Sequence, residues 1–345
     1  MAACTVVTVA GLRLGAPLLV PLALALFIAI ASLPLLGRLV ERKCPVAVAV
    51  LLVVVLDVAV LLTVVTLLVR SFAALAAAIP GYLSQLRALE ASMLEALAAR
   101  GVDLEGMSYF ALLPTEYLVG LVGTVVRGAT DVMATTFLVA LITVFLLLEA
   151  TGLPRKLRDA IGSRRSERLE WFGTVMSEVQ RYLALKTLIS AMTGLLIAAS
   201  AWLLGVDFAM LWGVLAFFLN FIPNVGSIIA AVPAVLVALL QHGIGTALAL
   251  AAVYIAVNMV IGNLIEPALF GRRLGLSTLV VVLSLVFWGW VWGPVGMFLS
   301  VPLAMATKIM LDNTSGYRWV AALMAGAPAP PPDIDERAPG DGTNG

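Results

Sequence analysis

Two asparagines flank a proline inside a long apolar stretch, where the 345-residue chain reads Asn220-Phe221-Ile222-Pro223-Asn224-Val225-Gly226. Proline lacks a backbone N–H and interrupts a helix, so nearby backbone carbonyls lose their helical partners. Asparagine carries a donor and an acceptor on one neutral side chain. This pattern predicts a hydrogen-bonding path for a polar solute, lined by Asn220, Pro223, Asn224 and Gly226. The simpler alternative is that each asparagine only ties two helices together.

A second polar group follows on the next apolar segment, and we assign Asn258 and Asn263 to the same path. At about 100° per residue these two positions lie about 140° apart on a helix, so a single tight stripe is not predicted. Glu266 follows, close to the basic pair Arg272 and Arg273. It either forms a salt bridge at a helix end or acts as a protonatable carboxylate. We predict that Glu266, Arg272 and Arg273 control the mouth of the path.

Asp57 is the one charged residue in the apolar run 44–69. A carboxylate at the centre of a membrane helix costs about 2.5–3.5 kcal/mol on insertion scales, so it needs a cavity, a partner or a proton. Asp57 is therefore a candidate for proton coupling.

The composition places these groups in a membrane protein. Hydrophobic residues make up 62% of the chain and charged residues 12%, against about 25% charged residues in soluble domains. A soluble surface could not cover so much apolar side chain, so the excess must face lipid. The fold class predicted is an all-α integral membrane protein.

Several function classes lack the residues that they require. The net charge of +1 gives no basic surface for nucleic acid. Two cysteines, Cys4 and Cys44, and one histidine, His242, make a zinc site improbable. One histidine also cannot supply the pairs that intramembrane proteases need, and the phosphate-binding loop GxxxxGK[ST] is absent. We therefore predict no metal, no cofactor and no enzymatic function.

Charge-poor intervals locate about seven to eight transmembrane helices, since about 20 apolar residues cross a bilayer. Gly15 and Pro17 separate a short first helix from a second at about 18–37. A third is predicted at about 46–69, and a separate amphipathic helix outside the membrane over 80–100. Broken or re-entrant helices are predicted near 220–226 and 288–294, because Pro and Gly interrupt both places.

Lysine and arginine set the orientation, since they are enriched in cytoplasmic loops. The clusters at 38–43 and 155–168 are predicted to be cytoplasmic, as is the pair at 272–273. The chain then divides into N-terminal membrane helices (1–70), an extracytoplasmic amphipathic segment (71–128), a transmembrane helix (129–150), a basic cytoplasmic amphipathic segment (151–186), a C-terminal membrane core (187–312), and a cytoplasmic end with a disordered Pro/Gly-rich tail (313–345).

Several motifs resemble the autoinducer-2 exporter family, and they occur in that family's order. They are the segment 219–226, Gly262-Asn263-Leu264-Ile265-Glu266-Pro267, Gly271-Arg272-Arg273-Leu274-Gly275-Leu276-Ser277, Phe287-Trp288-Gly289-Trp290, and Gly293-Pro294-Val295-Gly296-Met297. The resemblance covers about residues 5–323. It implies a multi-pass transporter in the lipid bilayer of the bacterial inner membrane, with a small-molecule substrate. The best-known substrate is the quorum-sensing signal autoinducer-2, and a homo-oligomer is implied. The alternative is a sodium/proton antiporter of the same family.

Overall fold

The computed structural model describes residues 2–99, 120, 128, 135–152, 166–223, 225–270, 276–312, 314, 316 and 318–326. Helices make up the architecture of this part of the chain, which contains no strand. Their bounds are α1 Ala2–Leu14, α2 Ala16–Glu41, α3 Val46–Ala98, α4 Thr135–Gly152, α5 Ser166–Leu203, α6 Ala209–Leu219, α7 Val225–His242, α8 Ile244–Val260, a π-helical turn Ile261–Ile265, α9 Glu266–Phe270, α10 Thr278–Asp312 and α11 Arg318–Met324.

Seven helical segments among the described residues are long and apolar enough to cross a bilayer: α2, the first part of α3, α4, most of α5, α7, the segment from α8 to α9, and α10. Large apolar side chains cover their outer faces. Phe137 is 76% exposed and Leu195 is 72% exposed. Such side chains are more stable against lipid than against water. The predicted all-α membrane fold with about seven to eight spans is confirmed.

Helix α3 is longer than the sequence pattern predicted. It runs without interruption over 53 residues and passes through Pro80. The prediction of separate helices at 46–69 and 80–100 is therefore wrong. Five alanines between positions 73 and 78 join the two segments, and alanine has the strongest intrinsic preference for a helix. The remainder of the predicted segment 71–128, apart from residues 120 and 128, lies outside the described residues.

Helix α5 lies at the centre of the fold and contacts α2, α6, α8, α9 and α10. Its contact with α6 is especially close because glycines face each other. A Cβ atom on Gly194 would lie 2.6 Å from the carbonyl oxygen of Gly213, a distance that real Cβ atoms do not adopt. Small residues let two helix backbones approach in this way in membranes. The close approach fixes α6 against α5 and so fixes the loop that follows α6.

Helices α6 and α7 form a hairpin, which we call the first hairpin (residues 209–242). Its two ends lie together, because His242 Nε2 is 2.9 Å from the Gly205 carbonyl oxygen and the Asp207 N–H donates to Gln241 Oε1 at 2.9 Å. The hydroxyl of Tyr82 also contacts Asp207 and Gln241, so α3 reaches these ends. The chain therefore enters the fold and returns to the same side between positions 208 and 241.

Helix α10 is also a hairpin, which we call the second hairpin (residues 278–312). Gly293 adopts φ 64° and ψ −145°, which separates two helical limbs. The Ser284 hydroxyl donates to the Ser300 carbonyl oxygen at 2.8 Å. Residues 16 positions apart on a straight helix would lie about 24 Å apart, so this bond shows that the limbs fold back on each other. Both predicted helix breaks, near 220–226 and 288–294, are confirmed.

Candidate functional site

A polar cavity of about 400 Å³ lies at the apex of the first hairpin. Its walls come from three places: α5, the apex with the start of α7, and the helix that runs from α8 through the π-helical turn to α9. The lining residues are Lys186, Asn220, Ile222, Pro223, Ser227, Ile228, Asn258, Met259, Gly262, Asn263 and Glu266. Five residues that we assigned to a path or its mouth from sequence therefore share one cavity.

The apex of the first hairpin holds Asn220 in place. Its Nδ2 donates to Ser190 Oγ on α5 at 2.9 Å. The turn after Asn220 is tight because Gly226 packs against the backbone of Leu219, where a side-chain Cβ would overlap the carbonyl oxygen. Gly226 is buried and shapes the apex without lining the cavity. Asn220 thus ties two helices together and also lines the cavity.

A π-helical turn lies in the cavity wall that carries Asn258 and Asn263. The Glu266 N–H donates to the Ile261 carbonyl oxygen, five residues earlier, which is the bond that defines this turn. Asn258 lies in α8 just before this turn and Asn263 lies within it, and both residues line the cavity. Turns of this type are rare and frequently lie at functional sites.

An ion pair closes one part of the cavity wall. Lys186 Nζ lies 2.8 Å from Glu266 Oε1, and the side chains are 5% and 29% exposed. Lys186 lies 17 residues, about 25 Å of helix, before the end of α5 at Leu203, so it is inside the membrane-spanning part. The two charges cancel, which leaves the cavity lined by neutral amides and one compensated pair. Lys186 is not among the site residues predicted from the sequence. The only feature of the sequence that could have indicated it is its position as a single lysine at the edge of a charge-poor run.

Other predicted site residues do not join this cavity. Asp57 accepts a hydrogen bond from Ser32 Oγ at 2.8 Å, which links α3 to α2. It borders a separate space of about 20 Å³, together with Thr136 and Thr143 of α4. This volume is close to that needed by one water molecule.

Three further predicted residues, Asn224, Arg272 and Arg273, lie outside the described residues. Among the described residues Glu266 pairs with Lys186 on another helix, and its predicted association with Arg272 and Arg273 stays a prediction.

The cavity suits a neutral polar solute better than an ion. Asparagine amides offer donors and acceptors in fixed directions, and no net charge faces the solute. Broken helices can line such a cavity at membrane depth, since the freed backbone groups are then met by protein or water. Among the described residues, seven apolar segments, two broken hairpins and a polar cavity at the apex of the first hairpin define a multi-pass membrane protein of the transporter class.

The chain belongs to the AI-2E family of transporters, which it matches over residues 3–316. It is 37% identical to the AI-2 transport protein TqsA of Escherichia coli (strain K12), over 93% of each chain. It is 36% identical to the putative transport protein YhhT of the same strain, over 93% of this chain and 92% of the relative. A putative transport protein of Haemophilus influenzae is 37% identical over 93% and 94% of the two chains. The protein is thus a multi-pass protein of the bacterial inner membrane.

Proposed function

We propose that the protein exports a small, uncharged, polyhydroxylated molecule such as autoinducer-2 across the inner membrane, without enzymatic conversion. The observation that carries this proposal is the meeting of Asn220, Asn258 and Asn263 in one cavity of about 400 Å³. Hydroxyl groups need partners that both donate and accept, and amides supply both. Support from the relatives comes from the printed name of TqsA, an AI-2 transport protein.

The compensated pair of Lys186 and Glu266 supports an uncharged substrate. An anion in the cavity would be repelled by the carboxylate, and a cation by the ammonium group, so neither sign is favoured. A sodium/proton antiporter needs an ionisable group that exchanges ions in the path. Asp57 is the other candidate for that role, and it borders a different space.

We also propose that the protein works as a homo-oligomer. Asn263 is exposed in the single chain although it lies in the membrane-spanning part. An amide at this depth is more stable against protein or water than against lipid. A second copy of the chain would provide such a surface.

The test is transport by purified protein in liposomes. Autoinducer-2 flux should be measured with and without pH and sodium gradients, in wild type and in Asn258→Leu. The variant removes one hydrogen-bonding side chain at about 0.5–1.5 kcal/mol, so flux should fall about two- to tenfold. Thr63→Leu is the matched control, because the Thr63 hydroxyl donates to the Ala59 carbonyl oxygen of its own helix.

Three results would count against the proposal. If wild type carries no autoinducer-2 in either direction, the substrate assignment is wrong. If it instead exchanges sodium for protons, the antiporter alternative replaces the proposal. Equal flux in Asn258→Leu and wild type would move the path away from this cavity.

A further inference from the structure

The two hairpins enter the fold from opposite sides. The two ends of the first hairpin contact Tyr82, which is the last residue of the membrane-spanning part of α3. The turn of the second hairpin lies against the end of α1, where Trp292 Nε1 donates to the Leu12 carbonyl oxygen. The end of α1 joins the start of α2, and a short turn links the end of α2 to the start of α3. Because α2 and α3 are antiparallel partners, the start of α2 lies on the same side of the fold as Tyr82 of α3. The turn of the second hairpin therefore lies on the side where the first hairpin has its ends.

The same close contact builds both turns. In the first hairpin, Gly226 packs on the carbonyl of Leu219, seven residues earlier. In the second, Gly296 packs on the carbonyl of Trp288, eight residues earlier. At each position a Cβ atom would overlap a backbone oxygen. Each turn is thus held by backbone packing that only glycine permits.

The two hairpins touch through one aromatic pair. Phe221, at the apex of the first hairpin, is 4% exposed, and its ring centroid lies 4.4 Å from that of Phe298 at an interplanar angle of 31°. Phe298 follows Gly293 by five residues, about 7–8 Å of helix. The pair therefore lies at membrane depth, between one helix break and the other.

Phe221 lies next to the cavity, and its ring contacts the second hairpin. Asn220 and Ile222, the chain neighbours of Phe221, line the cavity, whereas the Phe221 ring packs towards the second hairpin. The cavity walls are formed by α5, the first hairpin and the helix of Asn258, with no lining residue from the second hairpin among the described residues. The contact between Phe221 and Phe298 therefore lies between the cavity wall and the second hairpin.

We propose that Phe221 and Phe298 form a gate between the cavity and the break in the second hairpin. When the rings are stacked the cavity is closed towards that side, and when the hairpins separate the solute passes. Stacked aromatic rings suit this role because their contact is apolar, excludes water and breaks without leaving an unpaired hydrogen-bonding group. The gate rests on the transport function proposed above, since it controls the same cavity.

The first test uses a thiol reporter in the cavity and needs no substrate. Ser227, which lines the cavity, is changed to cysteine after Cys4 and Cys44 have been replaced by serine. A membrane-impermeant thiol reagent is then added separately to each side of the membrane. With the aromatic pair intact, labelling from the side of Tyr82 should be slow.

In the Phe221→Ala, Phe298→Ala double variant, labelling from the Tyr82 side should accelerate about tenfold, which corresponds to about 1.4 kcal/mol in the opening equilibrium. Phe287→Ala is the matched control, because Phe287 lies on the other limb of the same hairpin and makes an edge-to-face contact with Trp288 instead. No acceleration in the double variant, or an equal acceleration in the control, would overturn the gate.

The second test guards against a double variant that does not fold. Phe221→Cys and Phe298→Cys are joined by a short bifunctional methanethiosulfonate reagent, and flux is measured before and after reduction. The gate predicts that cross-linking blocks flux and that reduction restores it, while each single cysteine treated with the reagent keeps its flux. Full flux in the cross-linked protein would refute the gate. Wild type that carries no autoinducer-2 but shows the predicted labelling would refute the substrate and keep the gate.

Discussion

Removing either partner of the buried ion pair should destabilise the protein unequally. Lys186 is 5% exposed and Glu266 is 29% exposed, with 2.8 Å between Nζ and Oε1. Glu266→Met leaves a nearly inaccessible ammonium group without its carboxylate, and breaking a buried pair in this way costs about 3–5 kcal/mol. Lys186→Met leaves a carboxylate that still reaches the water of the cavity. Its cost should be smaller, at about 1–3 kcal/mol.

The double variant Lys186→Met, Glu266→Met should recover most of the stability, because both charges are removed and methionine fills similar volume. Replacing a buried pair by apolar side chains is often neutral or stabilising. The measurement is the free energy of unfolding by sodium dodecyl sulfate in mixed micelles, followed by tryptophan fluorescence in a double-mutant cycle. Additive losses in the double variant, or equal losses in the two single variants, would refute this reasoning.

Glu266→Gln separates a bridging role from a titrating role. Glutamine keeps an acceptor oxygen for Lys186 but cannot release a proton. Flux in liposomes should fall several-fold with an unchanged pH profile if Glu266 only bridges. A flattened pH profile would show that the carboxylate titrates during transport.

Three further predictions concern the turn, the second polar site and the orientation. Gly226→Ala should abolish correct assembly, measured by size-exclusion elution and protease resistance, whereas Gly245→Ala, where a Cβ meets open space, should behave as wild type. Asp57→Asn should keep autoinducer-2 flux within about twofold, since asparagine still accepts the hydrogen bond from Ser32; a complete loss would identify Asp57 as a coupling group. A cysteine in place of Gln241 should react with an impermeant reagent from outside the cell, and labelling only from the cytoplasm would contradict the predicted orientation.

The helix breaks could be predicted from sequence because their cause is local. Pro223 with Gly226, and Gly293 with Pro294, interrupt apolar runs that would otherwise be continuous. The sequence alone also identified the asparagines as side chains that lipid cannot satisfy. These predictions depend on the chemistry of single residues, which does not change with tertiary contacts.

The arrangement of the site could not be predicted in the same way. The π-helical turn adds one residue to a helical turn within Ile261–Ile265, and a prediction based on α-helical periodicity does not include such an added residue. The pairing of Lys186 with Glu266 joins residues 80 positions apart, which only the packing of α5 against α9 determines. The length of α3 could not be predicted from its apolar run, because the thickness of a bilayer does not limit a helix that continues beyond the membrane.

Helix α3 is long and continuous enough to transmit a displacement along its length. Its 53 residues extend about 80 Å along the helix path, against about 30 Å of hydrocarbon. A tilt of about 5° about the centre of the bilayer displaces the far end by about 5 Å. Tyr82 attaches this arm to Asp207 and Gln241, at the two ends of the first hairpin. A displacement of the far end of α3 is therefore passed through Tyr82 to the hairpin that carries Asn220.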